Sequence, residues 1–235
     1  MRAVLLGECA DFRADIVMVI DTSGSIRQAN PKNGSYDNWS LLLEFVVRMV
    51  EHLNVDAGHV RIGAVEFATS AISVFHLNRY SNAIHLKNAI RKVPYLEGST
   101  NTSAGISLMH HTEFRLENGD RPDVQNIAIV MLDGASNSEG DEITKAVAAR
   151  KAGIQIYVVG ITKSVNEDNV RLMASQPQMK DGNFFLAKDF SSLDTVADDL
   201  VLTMCKQLGK NISLCCVFSE KTFSSRRQKI VSVGK

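Results

Sequence analysis

The stretch DIVMVIDTSGSI, residues 15–26, decides the fold of this chain. It begins with an almost continuous run of Ile, Val and Met that ends at Asp21, and small polar residues and a glycine follow. A strand that is buried on both faces of a parallel sheet is apolar throughout rather than alternating. The run therefore predicts a central parallel strand whose carboxyl end leads into a polar loop.

Strand and helix patterns alternate along the rest of the chain. Further strands are predicted at residues 60–67, 71–75, 126–133, 155–161 and 183–186, and helices at 41–53, 81–93, 102–114, 142–152, 166–174 and 191–204. Because strands separated by helices form parallel sheets, we expect a doubly wound α/β domain over residues 11–205. It would have a mostly parallel central sheet, one antiparallel edge strand at 71–75, and helices on both faces.

Composition limits the classes of partner. The chain has 235 residues and is 45% hydrophobic, which suffices for one sizeable core. Lys plus Arg equals Asp plus Glu at 26 each, so net charge gives no reason to expect a nucleic acid or an anionic membrane as partner. No apolar run approaches the roughly 18 residues that span a bilayer, so no membrane span is predicted.

The two ends of the chain differ from its middle. Residues 1–10, MRAVLLGECA, are interpreted as an N-terminal segment with the remnant of a signal peptide, although its apolar stretch is shorter than the roughly 7–15 residues of a signal core. Residues 206–235 are expected to form a poorly ordered tail. Cys9 and Cys205 bracket the domain, which suggests a disulfide and an oxidising compartment; two free thiols remain the alternative.

Two predicted strands end in aspartate, at Asp21 and Asp133. In open α/β sheets, ligands bind at the carboxyl ends of the strands. The D-x-S-x-S spacing of Asp21, Ser23 and Ser25 lets one tight loop direct a carboxylate and two hydroxyls at a common point. Such an all-oxygen set suits Mg²⁺, Mn²⁺ or Ca²⁺, and it does not suit zinc, which prefers nitrogen and sulfur.

From residue 15 to about residue 205, the chain resembles the von Willebrand factor type A domain. The family's second loop has a G-x-T-x-T context, which Gly98–Thr102 matches, and its third loop is an Asp-Gly, here Asp133-Gly134. The resemblance implies a metal-ion-dependent adhesion site whose ligands are Asp21, Ser23, Ser25, Thr100 and Asp133. It also implies an open coordination position that a partner's Glu or Asp completes. Leu132 departs from the family's usual threonine, which puts the orientation of Asp133 in question.

The stretch between Ile161 and Asn166 leaves no room for the extra helix of collagen-binding integrin domains. The resemblance is therefore to matrix A domains, as in matrilins and type VI collagen, which often carry a bracketing cysteine pair. It implies a secreted extracellular-matrix module without enzymatic activity. Its expected partner is a collagen or another matrix glycoprotein, bound through an acidic side chain, and self-association is a further expectation.

Two other functions stay open at this point. One is a structural matrix scaffold in which the metal only stabilises loops. The other is a magnesium-dependent enzyme, which is disfavoured because the chain has no GxxxxGK[ST] loop and its first loop lacks a second aspartate. Asn33 and Asn38 lie in N-x-[ST] sequons of a predicted surface loop and are candidate glycosylation sites. Asn101 is also in a sequon, but a glycan there would obstruct the metal face.

Overall fold

The computed structural model describes residues 9–134, 136 and 140–209, which form a six-stranded sheet with helices on both faces. The strands are β1 (Ala14–Asp21), β2 (Val60–Phe67), β3 (Ala71–Phe75), β4 (Gln125–Leu132), β5 (Gln155–Ile161) and β6 (Phe184–Ala187). Their order across the sheet is β3-β2-β1-β4-β5-β6. Neighbouring strands are parallel except β2 and β3, which are antiparallel. The predicted antiparallel edge strand is thus confirmed.

Helices cover the two faces of the sheet. The α-helices are α1 (Ser25–Gln28), α2 (Asn38–Glu51), α3 (Ala83–Ile90), α4 (Thr102–Leu108), α5 (Asp141–Lys151), α6 (Glu167–Met173) and α7 (Leu193–Gly209). Successive β1 side chains point to opposite faces. Ile16, Met18 and Ile20 pack into the core beneath α2, α3 and α7, whereas Val17 and Val19 pack into the core beneath α4, α5 and α6. This two-sided burial explains the continuous apolar run, and the predicted doubly wound α/β fold is confirmed.

The helix predicted at residues 102–114 differs from the observed one. Its α-helical part ends at Leu108, and a π-helix continues from Met109 to Glu113. Glu113 is fully buried, and its carboxylate accepts a hydrogen bond from Ser73 Oγ of β3 and lies 2.9 Å from His76 Nδ1. Glu113 is the last residue of this π-helix, and its contacts join the helix end to the edge strand of the sheet.

The ends of the domain are joined covalently. A disulfide links Cys9 and Cys205, whose Cα atoms are 5.2 Å apart. Helix α7 extends to Gly209, four residues past the predicted domain limit. The interpretations of residues 1–8 and 210–235 lie outside the described residues. Within the described part of the chain, no helix is long and apolar enough to cross a membrane.

Candidate metal centre

The candidate centre lies where the two central parallel strands end. Asp21 is the last residue of β1, and Asp133 directly follows β4. The two strands pair in parallel, with Ile20 opposite Met131. Parallel neighbours end at the same edge of a sheet, so both carboxylates come to this edge and the charge of Asp133 acts on Asp21.

A chain of hydrogen bonds connects four of the five predicted ligands. Ser23 N donates to Asp21 Oδ1 at 2.8 Å, and the Oγ atoms of Ser23 and Ser25 are 3.0 Å apart. Ser25 Oγ donates to Asp133 Oδ1 at 2.6 Å. The two hydroxyls of the D-x-S-x-S loop thus lie side by side, and that of Ser25 contacts the carboxylate that follows the neighbouring strand.

The loop that carries the fifth predicted ligand, Thr100, is tied to the first loop through backbone groups. Gly24 N donates to the carbonyl oxygen of Gly98 at 3.0 Å, and Glu97 N donates to that of Thr22 at 3.0 Å. Gly98 has φ +119°, and a Cβ there would lie 2.7 Å from Thr69 Oγ1. Only glycine fits both this backbone conformation and this close approach. The loops therefore meet at the same edge, where Thr100 is 8% exposed.

The electrostatics of the cluster fit a bound cation. Asp21 is fully buried, and its Oδ2 has no hydrogen-bond partner. Burial, and then the charge of Asp133, raises the pKa of Asp21 to about 7, against the opposing effect of the hydrogen bonds from Ser23. Burial also raises the pKa of Asp133. A buried charge without a partner costs considerable free energy, so these two carboxylates favour an added positive charge.

The donor set has the chemistry of a hard-ion site. Two carboxylates and the hydroxyls beside them offer oxygen alone, which is what Mg²⁺, Mn²⁺ and Ca²⁺ take. No group of three or more His, Cys, Asp and Glu side chains in the described part of the chain is arranged to hold a metal. The candidate centre is compatible with that result because only two of its five predicted donors are carboxylates.

Residues other than that at position 132 hold Asp133 in the structure. Leu132 is buried in the core beneath α4, α5 and α6. Thr162, which follows β5, donates from its Oγ1 to the Asp133 carbonyl oxygen at 3.0 Å, while Ser25 holds the carboxylate. Thr162 adopts φ +71°, an uncommon conformation for a β-branched residue. Its position at the same sheet edge is the signal that could have identified it from sequence.

Tyr95 is a second supporting residue that the sequence analysis missed. Its hydroxyl donates to the Ser23 carbonyl oxygen at 2.6 Å. The guanidinium of Arg27 lies 4.4 Å from the centre of its ring and also forms a two-point ion pair with Asp37. Through these contacts the surface loop before α2 is connected to the loop that carries Asp21, Ser23 and Ser25.

The two candidate glycosylation sites differ in accessibility. Asn33 is exposed, and its side chain accepts a bond from Ser35 N. Asn38 is only 2% exposed, and its Nδ2 donates to the Ile26 carbonyl oxygen at 2.9 Å. A glycan on that nitrogen would require this hydrogen bond to break and the side chain to become exposed, so the structure disfavours Asn38 as a glycosylation site. The side chain of Asn101 caps α4, because its Oδ1 accepts a hydrogen bond from Ala104 N.

Comparisons with known proteins give a consistent result. The von Willebrand factor type A domain matches residues 15–199. Matrilin-1 of Gallus gallus is 29% identical over 226 residues, which is 94% of this chain and 43% of that protein. Matrilin-4 of Mus musculus is 31% identical over 206 residues, covering 86% of this chain and 31% of that protein. The collagen alpha-6(VI) chain of Mus musculus is 30% identical over 199 residues, covering 84% of this chain and 8% of that protein. The chain thus spans less than half the length of these curated relatives.

Solved structures agree on the fold. Proximal thread matrix protein 1 from the mussel byssus superposes with a TM-score of 0.74 at 23% identity, covering 83% of this chain and 48% of the other. A further structure of that protein, with a TM-score of 0.72 and 27% identity over 83% of this chain and 46% of the other, has a zinc-occupied MIDAS motif. MIDAS denotes the metal-ion-dependent adhesion site, so in the mussel protein such a motif accepts zinc.

Proposed function

The chain belongs to the von Willebrand factor type A domain family, and on that premise we propose that it is a matrix adhesion module. In this proposal Asp21, Ser23, Ser25, Thr100 and Asp133 hold one divalent ion, and a partner protein binds the ion through a carboxylate. The matrilins and the collagen VI chain that it resembles are extracellular-matrix proteins, which supports a secreted, non-enzymatic module with another matrix protein as its partner.

One observation carries the proposal: Asp21 Oδ2 is buried without a hydrogen-bond partner, within a cluster whose other groups are also oxygens. A buried polar atom without a hydrogen-bond partner is rare in native proteins, and a bound ion is one of the few explanations for it. The hydrogen bonds among Asp21, Ser23, Ser25 and Asp133 keep their oxygens together before any ion binds. Little reorganisation is then required on binding.

Each residue of the centre has a distinct part in the proposed binding. Asp21 and Asp133 supply the negative charge, and the hydroxyls of Ser23, Ser25 and Thr100 supply neutral oxygens. A bound divalent ion offers a Lewis-acidic position that a partner's carboxylate oxygen can fill. Tyr95 and Thr162 do not contact the ion in this proposal. They hold the loops that carry the donors, because they donate hydrogen bonds to the carbonyl oxygens of Ser23 and Asp133.

The preferred ions are Mg²⁺ and Mn²⁺, with Ca²⁺ as a further candidate, because every donor is a hard oxygen. The zinc-occupied motif of the mussel protein adds Zn²⁺ to the ions that need to be compared. Isothermal titration of the metal-free domain with each of the four ions would rank them. The isosteric variant Asp21→Asn is expected to weaken binding of every ion by at least tenfold, because it removes a charge at the position with the unpaired oxygen.

Partner binding is tested with the same protein. A panel of immobilised matrix proteins is probed in Mg²⁺ or Mn²⁺, in EDTA, and with Asp21→Asn and Thr100→Ala. The matched control is Asp123→Asn. The side chain of Asp123 is 64% exposed, and the residue lies before the amino end of β4, at the opposite edge of the sheet from the centre. We expect binding to be lost in EDTA and in both centre variants and to persist in the control.

The outcomes distinguish the three candidate functions. Partner binding that is indifferent to EDTA and to both variants would contradict the carboxylate bridge and leave the scaffold role, in which an ion affects only the melting temperature. Hydrolysis of a generic phosphate ester that disappears in Asp21→Asn would instead establish an enzyme.

A further inference from the structure

A small, partly open cavity lies beside the candidate metal centre. Its volume open to water is about 10 Å³, which is about what one water molecule or one small ion requires. Leu132 and Gly134, on either side of Asp133, line it from the sheet edge, and Thr102 lines it from the start of α4. Glu142, from the first turn of α5, closes it on another side.

Two polar atoms of the cavity wall have no protein partner. Glu142 is 1% exposed and Thr102 is fully buried, yet Glu142 Oε2 and Thr102 Oγ1 make no hydrogen bond. The other oxygen of Glu142 accepts from Asn169 Nδ2 at 3.1 Å, which holds the carboxyl group in place. None of the ion pairs in the described part of the chain involves Glu142. Unpaired buried oxygens of this kind are rare in native proteins.

The charges around the cavity favour a positively charged occupant. Asp21, Asp133 and Glu142 bring three carboxylates to one edge of the sheet, and no Lys, Arg or His forms an ion pair with any of them among the described residues. A divalent ion between the two aspartates would balance two of these charges. The third would stay uncompensated in a cavity whose unpaired atoms are oxygens.

We propose that this cavity is a second cation site, in which Glu142 Oε2 and Thr102 Oγ1 hold one small monovalent ion such as sodium beside the divalent centre. The proposal rests on the proposed function only for the charge balance, since the unpaired oxygens and the cavity do not depend on it. The ion would link α4 and α5 through Thr102 and Glu142, next to the loop that carries Asp133.

The melting temperature tests the proposal without any partner protein. It is measured in saturating Mg²⁺, with sodium chloride replaced stepwise by choline chloride at constant ionic strength. A ligand that binds only the folded state stabilises it in proportion to the logarithm of its concentration. For a domain of this size we expect a rise of about 3–5 °C for each tenfold increase in sodium above its Kd. The larger potassium ion should give a smaller rise.

Variants locate the effect. Glu142→Gln keeps the side-chain shape and an oxygen for Asn169 and is expected to abolish the sodium response. Asp141→Asn, one residue earlier and exposed, should retain it. Thr102→Val removes only the hydroxyl and should shift the response to higher sodium, so it carries the test if Glu142→Gln does not fold.

Two results would overturn the proposal. If the melting temperature of the unmodified chain is the same in sodium and in choline, the cavity holds water only. If Glu142→Gln or Thr102→Val responds as the unmodified chain does, sodium acts elsewhere. Both results concern the effect of sodium on the melting temperature. The proposed function is tested separately, by the magnesium dependence of partner binding.

Discussion

Glu66 carries a pH dependence of stability that can be worked out from its surroundings. It lies in β2 between Ile20 of β1 and Ile72 of β3, is fully buried, and has no hydrogen-bond partner on either carboxyl oxygen. Burial raises its pKa from 4.5 to about 7. In the unfolded chain the same group ionises near pH 4.5, so between these two values the folded state holds one proton more than the unfolded state.

The sign and size of the effect follow from proton linkage. Stability falls as pH rises wherever the folded state binds more protons. The stabilisation from protonated Glu66 is fully present below pH 4.5 and is lost as pH rises to about 7. Each pKa unit corresponds to about 1.4 kcal/mol, so the loss between pH 5 and pH 8 is about 2–3 kcal/mol. That is a large part of the roughly 5–15 kcal/mol that stabilise a typical domain.

The perturbation is Glu66→Gln, which keeps the shape and cannot ionise. Urea unfolding of both proteins, with the disulfide intact and Mg²⁺ fixed, gives their difference in unfolding free energy at pH 5, 6, 7 and 8. We expect the variant to gain about 2–3 kcal/mol relative to the unmodified chain across this range. Asp21 titrates equally in both proteins, so its contribution cancels in the difference.

The matched control is Glu117→Gln, whose side chain is 72% exposed; its difference from the unmodified chain should stay constant over the same pH range. A constant difference for Glu66→Gln as well would refute the reasoning, because Glu66 would then have to be ionised in the folded state. A cation or a water-filled path would have to reach it.

Three further perturbations test how the domain is held together. Asp198→Asn breaks the ion pair from α7 to Arg48 of α2 and should cost about 1–3 kcal/mol in urea unfolding, whereas the exposed Asp199→Asn should cost less than about 0.5 kcal/mol. The hydrogen bond from Arg48 lowers the pKa of Asp198, so this difference should shrink as pH falls below about 4. Tyr95→Phe removes the hydrogen bond to the loop of Asp21, Ser23 and Ser25 and should cost about 1 kcal/mol and weaken Mg²⁺ binding several-fold in calorimetry; unchanged affinity would show that the loop does not need it. The two cysteines of the disulfide are 196 residues apart in sequence. Its reduction should lower the unfolding free energy by about 3–5 kcal/mol, and an unchanged denaturation midpoint would contradict that.

The sheet and the conformation of the loop that carries Asp21, Ser23 and Ser25 could be predicted from sequence because their signals are local. The continuous apolar run of β1 follows from burial on both faces, and the spacing of Asp21, Ser23 and Ser25 is a property of one tight turn. The π-helix could not be predicted in this way. Its last residue, Glu113, accepts a hydrogen bond from Ser73, which lies forty residues earlier, and no pattern inside the helix records that contact.

The supporting residues of the centre were hidden for the same reason. Thr162 acts on Asp133 from the end of the adjacent strand, and Tyr95 acts on Ser23 from 72 residues away. Asn38 satisfies a sequon in sequence, but the fold uses its amide to bind the Ile26 carbonyl oxygen. In each case the side chain takes its role from a neighbour that only the folded chain supplies.

The bracketing disulfide has a mechanical consequence for any longer polypeptide that contains this domain. Cys9 precedes the amino end of β1, while the loop of Asp21, Ser23 and Ser25 begins at its carboxyl end, about 25 Å away along a strand of this length. Tension applied to the polypeptide on either side of these cysteines would pass through one covalent bond and bypass the sheet. The sheet, and with it the loop of Asp21, Ser23 and Ser25, would then carry none of this tension.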